Sequence, residues 1–376
     1  MNGPARILLT LLLPIVAVFA IVLAVLVLLL DLVALPFVLA MRQTPRDERP
    51  ATRNASILVL NWNGIEFLRD LMPSLRIAVD RCPGDHEVIV IDNGSDDDSV
   101  AWLQAEHPWA KLVLLPENLH FIRGNAAGAK VADRDILVYL NNDMRVEPDF
   151  LVELLRPFEE DQSGQLFASS ARIEMQGYRS ETGLARAFVK YGELRLVQIP
   201  GEAGKDQPVL WAGGGSSAFD RKKHDAIGGF EQLYVPCYVE DVSLSWQAQR
   251  RGWRCVYAHD SVVHHAHRGT SSKVFGREAL ERLNWRNSEL FFVRSVTDPK
   301  LLLTHAVMLA WNTRKRAALL DIPIAHGVLA LLTTVPRLPQ ALWQRECSRR
   351  FYRRSDRALL AQVTVPPPGT NQGAVR

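Results

Sequence analysis

The sequence predicts an α/β fold with a mainly parallel central sheet and helices on its faces. Short apolar runs, typical of strands covered on both faces, recur between residues 57 and 140. Segments with helical spacing separate them, and this alternation implies right-handed crossovers between parallel strands. Most of these runs stop at Asn- or Asp-rich loops, and sheets of this kind bind ligands beyond the carboxyl ends of their strands.

Composition sets the scale of the protein and excludes some functions. The chain has 376 residues, 48% of them apolar, which allows at least one large core and one to three domains. A formal charge of +3 is too small to argue for nucleic-acid binding. Four cysteines lie far apart without a C-x-x-C pair, which favours a reducing compartment and gives no sign of a structural zinc site.

The N-terminal segment predicts a membrane anchor over residues 1–41. No ionisable residue occurs in the 24 positions from Ile7 to Leu30, which as a helix would span roughly 36 Å, enough for a hydrocarbon core of about 30 Å. Asp31 interrupts the apolar run. The alternative is a secretory signal cleaved after Val38-Leu39-Ala40, although signal cores are only about 7–15 residues long.

Arginine residues flank this segment unequally and predict its orientation. One precedes the apolar run and four follow it: Arg6, then Arg42, Arg46, Arg49 and Arg53. The positive-inside rule therefore places the bulk of the chain in the cytoplasm, attached to the inner (cytoplasmic) membrane. Residues 42–54 are short, polar and contain proline, and we interpret them as a linker.

Polar residues follow the predicted strands at one edge of the sheet. The runs and the loops behind them are 57–60 with Asn61-Trp62-Asn63-Gly64, 87–91 with Asp92-Asn93-Gly94-Ser95, 111–115 with Glu117-Asn118, and 136–140 with Asn141-Asn142-Asp143. Parallel strands would gather Asn61, Asp92 and Asp143 on the same edge. A carboxylate there can hold a divalent cation, and the cation can hold phosphates. The alternative is a plain turn or helix cap at Asn142-Asp143.

Three familiar nucleotide-binding or hydrolase motifs are missing from the sequence. No strict G-x-G-x-x-G follows the first strand, and no G-x-x-x-x-G-K-[ST] loop occurs. The segment Gly215-Ser216-Ser217-Ala218 does not fit the G-x-S-x-G spacing of hydrolases. The three consecutive glycines Gly213–Gly215 would let backbone approach a ligand closely, and a flexible turn explains them equally well.

A second group of polar residues lies further along the chain. Glu240-Asp241 begins a predicted helix that stops at Gly252, and helix-dipole stabilisation alone would explain acids there. Three histidines follow within four positions, at 264, 265 and 267. A neutral imidazole could complete a metal site begun elsewhere, whereas each histidine taken singly could be structural.

The C-terminal region predicts amphipathic helices over residues 291–360, followed by a disordered tail over 361–376. Seven arginines between Arg337 and Arg357 stand against only Glu346 and Asp356, and apolar helices precede them. That pattern fits helices lying on an anionic membrane surface. The alternative is a soluble helical pair packed on the rest of the protein.

Taken together, the motifs resemble the family 2 glycosyltransferases, especially their rhamnosyltransferase-like branch. The resemblance covers about residues 55–272, in family order. It is carried by Asn61-Trp62-Asn63-Gly64, Asp92-Asn93-Gly94-Ser95, Asn118, Gly124-Asn125, Leu140-Asn141-Asn142-Asp143, Gly228-Gly229-Phe230, Glu240-Asp241, Arg250-Arg251-Gly252-Trp253 and His265.

The resemblance implies a GT-A fold over residues 55–290 and assigns roles to site residues. Those implied to bind the nucleotide-sugar are Asn61, Asn63, Asp92, Asn118, Asn125 and Asn142. Asp143 and His265 are implied to contact Mg²⁺ or Mn²⁺ on the diphosphate. Asp241 matches the catalytic base with Glu240 beside it, and Gly213, Gly214 and Gly215 would border the acceptor.

The function that follows is inverting transfer of a sugar from a UDP-, dTDP- or GDP-linked donor to a hydroxyl. The acceptor is expected to be a lipid-linked glycan in cell-envelope polysaccharide synthesis. Two alternatives are a sugar nucleotidyltransferase and a catalytically inactive binding or assembly subunit. The chain lacks the basic glycine-rich loop that a nucleotidyltransferase would be expected to carry after Leu60. The presence of Asp143, Asp241 and His265 together argues against an inactive subunit.

Overall fold

The computed structural model describes residues 4, 7–8, 11–175, 181–191, 193–265 and 276–365. The chain forms two compact units. We call residues 46–186 and 198–268 the sheet unit, and residues 1–45, 187–197 and 269–376 the helical unit. The predicted catalytic domain, 55–290, thus extends beyond the sheet unit, because the helix that begins at Arg277 belongs to the helical unit.

The sheet unit alternates strands and helices over its N-terminal half, as the sequence predicts. Its elements are β1 (Ala55–Asn61), α2 (Ile65–Arg81), β2 (Glu87–Asp92), α3 (Ser99–Glu106), β3 (Lys111–Leu114), α4 (His120–Val131), β4 (Ile136–Asn141), β5 (Met144–Val146), α5 (Phe150–Glu160), β6 (Leu166–Met175), β7 (Glu181–Thr182), β10 (Gln207–Pro208), β11 (Ser216–Asp220), α6 (Arg221–Ile227), α7 (Glu240–Arg250) and β12 (Arg254–His265). A hairpin of β8 (Leu184–Lys190) and β9 (Glu193–Ile199) contains the points where the chain changes units.

The strands form one mixed sheet in the order β10-β12-β6-β11-β4-β1-β2-β3. Strands β1 to β4 are parallel, which confirms the predicted parallel arrangement. Strand β11 runs antiparallel to β4, and β5 pairs antiparallel with β12. The carboxyl ends of the parallel strands therefore share an edge with the start of β11 and the end of β12.

Strand β4 lies in the middle of the core, as its unbroken apolar run predicts. The side chains from Ile136 to Leu140 are at most 2% exposed, and the buried Tyr139 hydroxyl lies 3.0 Å from His224 Nε2. Burial on both faces explains why the pattern lacks alternation. Truncating Leu137 or Leu140 to alanine should cost about 2–5 kcal/mol of unfolding free energy.

The segment predicted as a linker is held against the sheet unit from Arg46 onward. The indole nitrogen of Trp253 donates to the Arg46 carbonyl at 3.2 Å, and the Thr52 amide donates to Asp135 Oδ2 at 2.8 Å. These contacts join residues far apart in sequence, so the pattern of polar residues alone could not indicate them.

The helical unit contains one long apolar helix and a C-terminal group of helices. They are α1 (Leu13–Ala40), α8 (Arg277–Ser295), α9 (Pro299–Leu320), α10 (Ile324–Leu332), α11 (Leu338–Arg349) and α12 (Asp356–Val363). Helix α1 has the length and composition of a membrane-crossing helix, properties that an N-terminal signal sequence shares. Helix α12 continues past the predicted start of the tail at residue 361, and residues 366–376 lie outside the described part.

A buried ion pair joins α1 to α11. Asp31 is 9% exposed and Arg345 fully buried; the guanidinium donates to both carboxylate oxygens at 2.8 and 2.7 Å. Arg345 also donates to the Val293 and Val296 carbonyls, and Arg349 adds a contact to Asp31 at 3.0 Å. The one acid in α1 is therefore neutralised inside the helical unit.

Candidate active site

The parallel pairing of β1 with β2 places Asn61 directly opposite Asp92. Both side chains are buried, and the Asn61 amide lies 3.5 Å from Asp92 Oδ1. Asn142, which follows β4, donates to Asn61 Oδ1 at 2.8 Å. Three of the predicted nucleotide-sugar residues thus form one polar group where the strands end.

The loop after β1 fits tightly against this group because it contains Gly64. A Cβ at Gly64 would lie 2.4 Å from the Asn142 amide nitrogen and 2.6 Å from Asn61 Oδ1. Such distances are far inside van der Waals contact, so any larger residue would displace the amides. The glycine of this motif is therefore explained by the close approach of backbone to side chains.

Asn63 and Ser95 join the loops that follow β1 and β2. The Asn63 amide donates to Ser95 Oγ at 2.9 Å, and the Asp96 amide donates to Asn63 Oδ1 at 2.8 Å. The Ser95 amide in turn donates to Asp92 Oδ2 at 3.0 Å. Asn63 has φ near 48°, a left-handed conformation that asparagine tolerates.

Asn118 is positioned by Asn93, a residue to which the sequence assigned no role. The Asn93 side chain is 2% exposed and donates to Asn118 Oδ1 at 2.9 Å. Its oxygen accepts from the Leu119 amide at 2.8 Å. The sequence signal was its place inside the Asp92-Asn93-Gly94-Ser95 motif, but only the fold reveals its partners.

Asn125 occupies a different kind of position. It is buried in α4, and its side-chain amide donates to the Phe121 carbonyl at 3.1 Å, one turn earlier in the same helix. Within the described residues, the hydrogen bonds that join Asn61, Asp92 and Asn142 do not include it. Its role toward a nucleotide-sugar stays a prediction.

Asp143 and His265 meet across the turn between β4 and β5. Strand β5 pairs with β12 so that His265 faces Met144, the residue after Asp143. His265 Nε2 lies 3.1 Å from Asp143 Oδ2, and the two side chains are 21% and 11% exposed. Among the described residues, no cluster of three or more potential metal ligands occurs, so this pair offers two donor atoms.

The neighbouring histidine faces other partners. His264 Nε2 lies 2.6 Å from Glu147 Oε1, and its Nδ1 lies 3.4 Å from Glu174 Oε2. Successive side chains of a strand point to opposite faces, which explains why His264 and His265 differ. The third histidine of the predicted group, at position 267, lies outside the described residues.

Asp241 stands in the first turn of α7, facing the triple glycine. Its Oδ2 accepts from the Gly214 amide at 3.2 Å, and its Oδ1 accepts from the Val242 amide at 2.8 Å. Burial raises the pKa of the Asp241 carboxyl, while these two backbone donors oppose the rise. A carboxylate with a raised pKa and partial exposure is a suitable proton acceptor.

Glu240 is more deeply buried than Asp241. It is 5% exposed, and its Oε2 has no hydrogen-bond partner among the described residues. Burial, and then the neighbouring Asp241 charge, raise the pKa of Glu240 well above its ordinary value. A protonated Glu240 would place a neutral acid beside the ionisable Asp241.

The triple glycine connects the Asp241 end of the site with the Asp143 end. The Gly214 amide binds Asp241, and Gly215 accepts a backbone hydrogen bond from Asn141 at 2.9 Å. A Cβ at Gly215 would lie 2.3 Å from the Asn141 side-chain nitrogen, whereas a Cβ at Gly213 would meet nothing within 4 Å. The structure thus brings the predicted donor-side and acceptor-side residues to one edge of the sheet.

Comparison with known families and curated proteins gives related sequences. The family model for glycosyl transferase family 2 matches residues 56–228. The chain is 26% identical over 231 residues to N-acetylgalactosaminyltransferase 6 of Drosophila melanogaster, covering 57% of this chain and 34% of that protein. It is 27% identical over 114 residues to undecaprenyl-phosphate 4-deoxy-4-formamido-L-arabinose transferase of Enterobacter sp. (strain 638), covering 29% of this chain and 35% of that protein. Each match spans about a third of the relative.

Two solved structures share the fold. GalNAc-T7 with UDP, GalNAc and Mn²⁺ superposes with a TM-score of 0.53 at 16% identity, covering 72% of this chain and 52% of that chain. S. aureus TarS 1–349 in complex with UDP-GlcNAc also superposes with a TM-score of 0.53, at 12% identity, covering 79% of this chain and 89% of that chain. These likenesses confirm the predicted GT-A fold.

Proposed function

Because residues 56–228 of this chain belong to glycosyl transferase family 2, we propose that the protein transfers a sugar from a nucleotide-activated donor to a hydroxyl group. The observation that carries this proposal is the placement of Asp143 with His265, and of Asp241 with Gly214, on one sheet edge. The first pair suits the leaving diphosphate, and the second suits the attacking hydroxyl.

The polar group after β1 and β2 is the proposed nucleoside pocket. Asn61, Asp92 and Asn142 present amide and carboxylate groups in fixed positions, since each is buried and hydrogen-bonded to a neighbour. Such preorganised groups can pair with the polar edges of a base and a ribose. The solved structure of GalNAc-T7 contains UDP, which favours uridine among the candidate nucleotides.

The Asp143–His265 pair fits a divalent cation by its donor set. A carboxylate oxygen and an imidazole nitrogen 3.1 Å apart can contribute two ligands, and substrate phosphates commonly complete such sites. When bound, Mg²⁺ or Mn²⁺ would stabilise the charge that develops on the leaving diphosphate. Asp143 would contribute the anionic ligand, and His265 would contribute an imidazole nitrogen.

Asp241 is proposed as the base that accepts the proton of the attacking hydroxyl. The Gly214 and Val242 amides hold its carboxylate oxygens, and Glu240 beside it would support that position. One carboxylate is sufficient for direct attack opposite the leaving group, so we propose inversion at the sugar carbon. Gly213–Gly215 would border the acceptor, since Gly213 faces open space.

The proposed acceptor is a lipid-linked glycan of the cell envelope. The apolar helix α1 supports it, because an enzyme held at a membrane meets lipid-linked substrates there. The arginines that follow α1 favour the cytoplasmic side of the inner membrane. A rhamnosyl or another hexosyl donor would be consistent with the motifs.

A thermal-shift screen of the full chain in detergent tests the donor proposal. UDP-, dTDP- and GDP-sugars would each be added with and without Mn²⁺, with free nucleosides as controls. We expect one nucleotide series to raise the melting temperature only when metal is present. No shift from any nucleotide-sugar would contradict donor binding. Binding without any sugar transfer or donor hydrolysis would favour the inactive-subunit alternative.

A further inference from the structure

The helical unit encloses an apolar cavity that the proposed chemistry does not use. It has a volume of about 300 Å³ and is lined by residues of α1, α8, α9, α10 and α11. Its deep wall includes Ala24, Val27 and Ala306, all less than 8% exposed. A cavity of this size lies at the lower end of the range for small-ligand sites.

Two of the three polar side chains in the cavity wall pair with each other, and the third bonds to the backbone. His305 Nε2 lies 2.7 Å from Glu289 Oε2, and Thr334 Oγ1 donates to the Leu331 carbonyl at 2.6 Å. The other lining side chains are aliphatic or aromatic. The surface offered to an occupant is therefore mainly hydrocarbon, which suits an apolar ligand.

The shape of the cavity suits an extended chain. Its lining runs along α1 from Ile15 to Val27, about 18 Å at 1.5 Å per residue. Ile15 and Phe19 are 63% and 46% exposed, so the cavity opens on the surface of α1.

The arginine-rich helix α11 borders the cavity. Its first residue, Leu338, lines the cavity. Asp31 lies one turn beyond Val27 and binds Arg345. The seven arginines of residues 337–357 outnumber Asp31, Glu346 and Asp356 together, so the Asp31 end keeps a net positive charge that favours an anionic group.

We propose that the cavity holds the hydrocarbon tail of the lipid acceptor, with the acceptor's phosphate toward the arginine-rich end. This proposal rests on the proposed function, since it names where the lipid part of that acceptor binds. The exposed apolar opening lies on the helix that has the character of a membrane span, so a chain could enter it directly from the bilayer.

Photolabelling tests the assignment. The full chain would be placed in phosphatidylcholine nanodiscs with a polyisoprenyl phosphate that carries a diazirine near its tail end. We expect labelling of residues 15–27 and 302–309, displaced by unlabelled polyisoprenyl phosphate but not by phosphatidylglycerol at equal mole fraction. Equal displacement by both would assign the cavity to bulk phospholipid and overturn the proposal, as would labelling elsewhere.

A cavity-filling substitution provides a second arm. Ala306→Leu should lower labelling about tenfold, the effect of excluding two methylene groups, whereas Ala318→Leu, on an exposed position of the same helix, should not. Equal labelling in both variants would contradict the tail site. The donor thermal shift is measured in parallel: if wild-type protein shows none, the proposed function fails, and if it shows one without tail labelling, only the cavity proposal fails.

Discussion

The imidazole of His265 lies 3.1 Å from the carboxylate of Asp143, although 122 positions separate them in sequence. The contact depends on antiparallel pairing of the short strand β5 with the end of β12. Two residues that the motifs indicate separately thus become one candidate ligand pair. The proposed metal contact therefore depends on the register of this strand pair.

Asp241→Asn should abolish sugar transfer while donor binding stays near that of wild type. Asparagine keeps the shape and one acceptor oxygen, so it can satisfy one of the two amides of Gly214 and Val242, but it cannot accept the proton. Losing a general base typically costs about 10²–10⁴-fold in rate. Transfer is measured with radiolabelled donor, and donor affinity by thermal shift. Full turnover in this variant would remove Asp241 from the role of base.

The pH dependence of transfer should report the raised pKa of Asp241. The base works only when deprotonated, so activity should increase with pH through a midpoint above the ordinary aspartate value of about 3.9. The measurement is kcat/KM for the acceptor across pH, with protein stability monitored at each point. A flat profile over the acidic range would contradict the assignment.

Glu240→Gln should change stability in a pH-dependent way. The raised pKa means that the folded state holds the proton more tightly than the unfolded state, so the stabilisation is present at low pH and lost as pH rises through the folded pKa. Glutamine cannot ionise, and the variant should therefore gain melting temperature relative to wild type as pH rises. Glu66 is exposed, so Glu66→Gln serves as a control whose melting temperature should not rise relative to wild type with pH.

The two outer residues of the triple glycine allow a matched test of the acceptor side. Gly215→Ala should lower stability and activity together, because its Cβ would overlap the Asn141 side chain. Gly213→Ala has open space and should leave the melting temperature unchanged while raising the acceptor KM. An unchanged acceptor KM in Gly213→Ala would argue that this loop does not border the acceptor.

Asp31→Asn should destabilise the helical unit by about 3–5 kcal/mol, since it leaves the buried Arg345 without its counter-charge. Thermal unfolding of the detergent-solubilised chain measures the loss. Adding Arg345→Met should recover part of it, because both charges are then absent. A double variant as unstable as the sum of the singles would show that the two residues act independently.

Sequence patterns predicted the parts of the fold that depend on local signals. Unbroken apolar runs located β1 to β4, and their polar ends placed Asn61, Asp92 and Asp143 on one edge. Contacts between distant segments were not predictable in this way. The Asn93–Asn118 pair, the Gly214–Asp241 bond and the Asp31–Arg345 pair each require a register or a helix packing that no single segment encodes.

The central claim is that Asp143 and His265 form the metal-diphosphate site. Calorimetric titration tests it most directly, with the nucleoside diphosphate that the thermal-shift screen selects, in the presence and absence of Mn²⁺. Wild-type protein should bind tightly only with metal. Asp143→Asn and His265→Ala should each weaken metal-dependent binding at least about tenfold, while the neighbouring controls Asp149→Asn and His264→Ala should not. If Asp143→Asn and His265→Ala keep the metal dependence of wild type, the metal-diphosphate site does not lie at this pair.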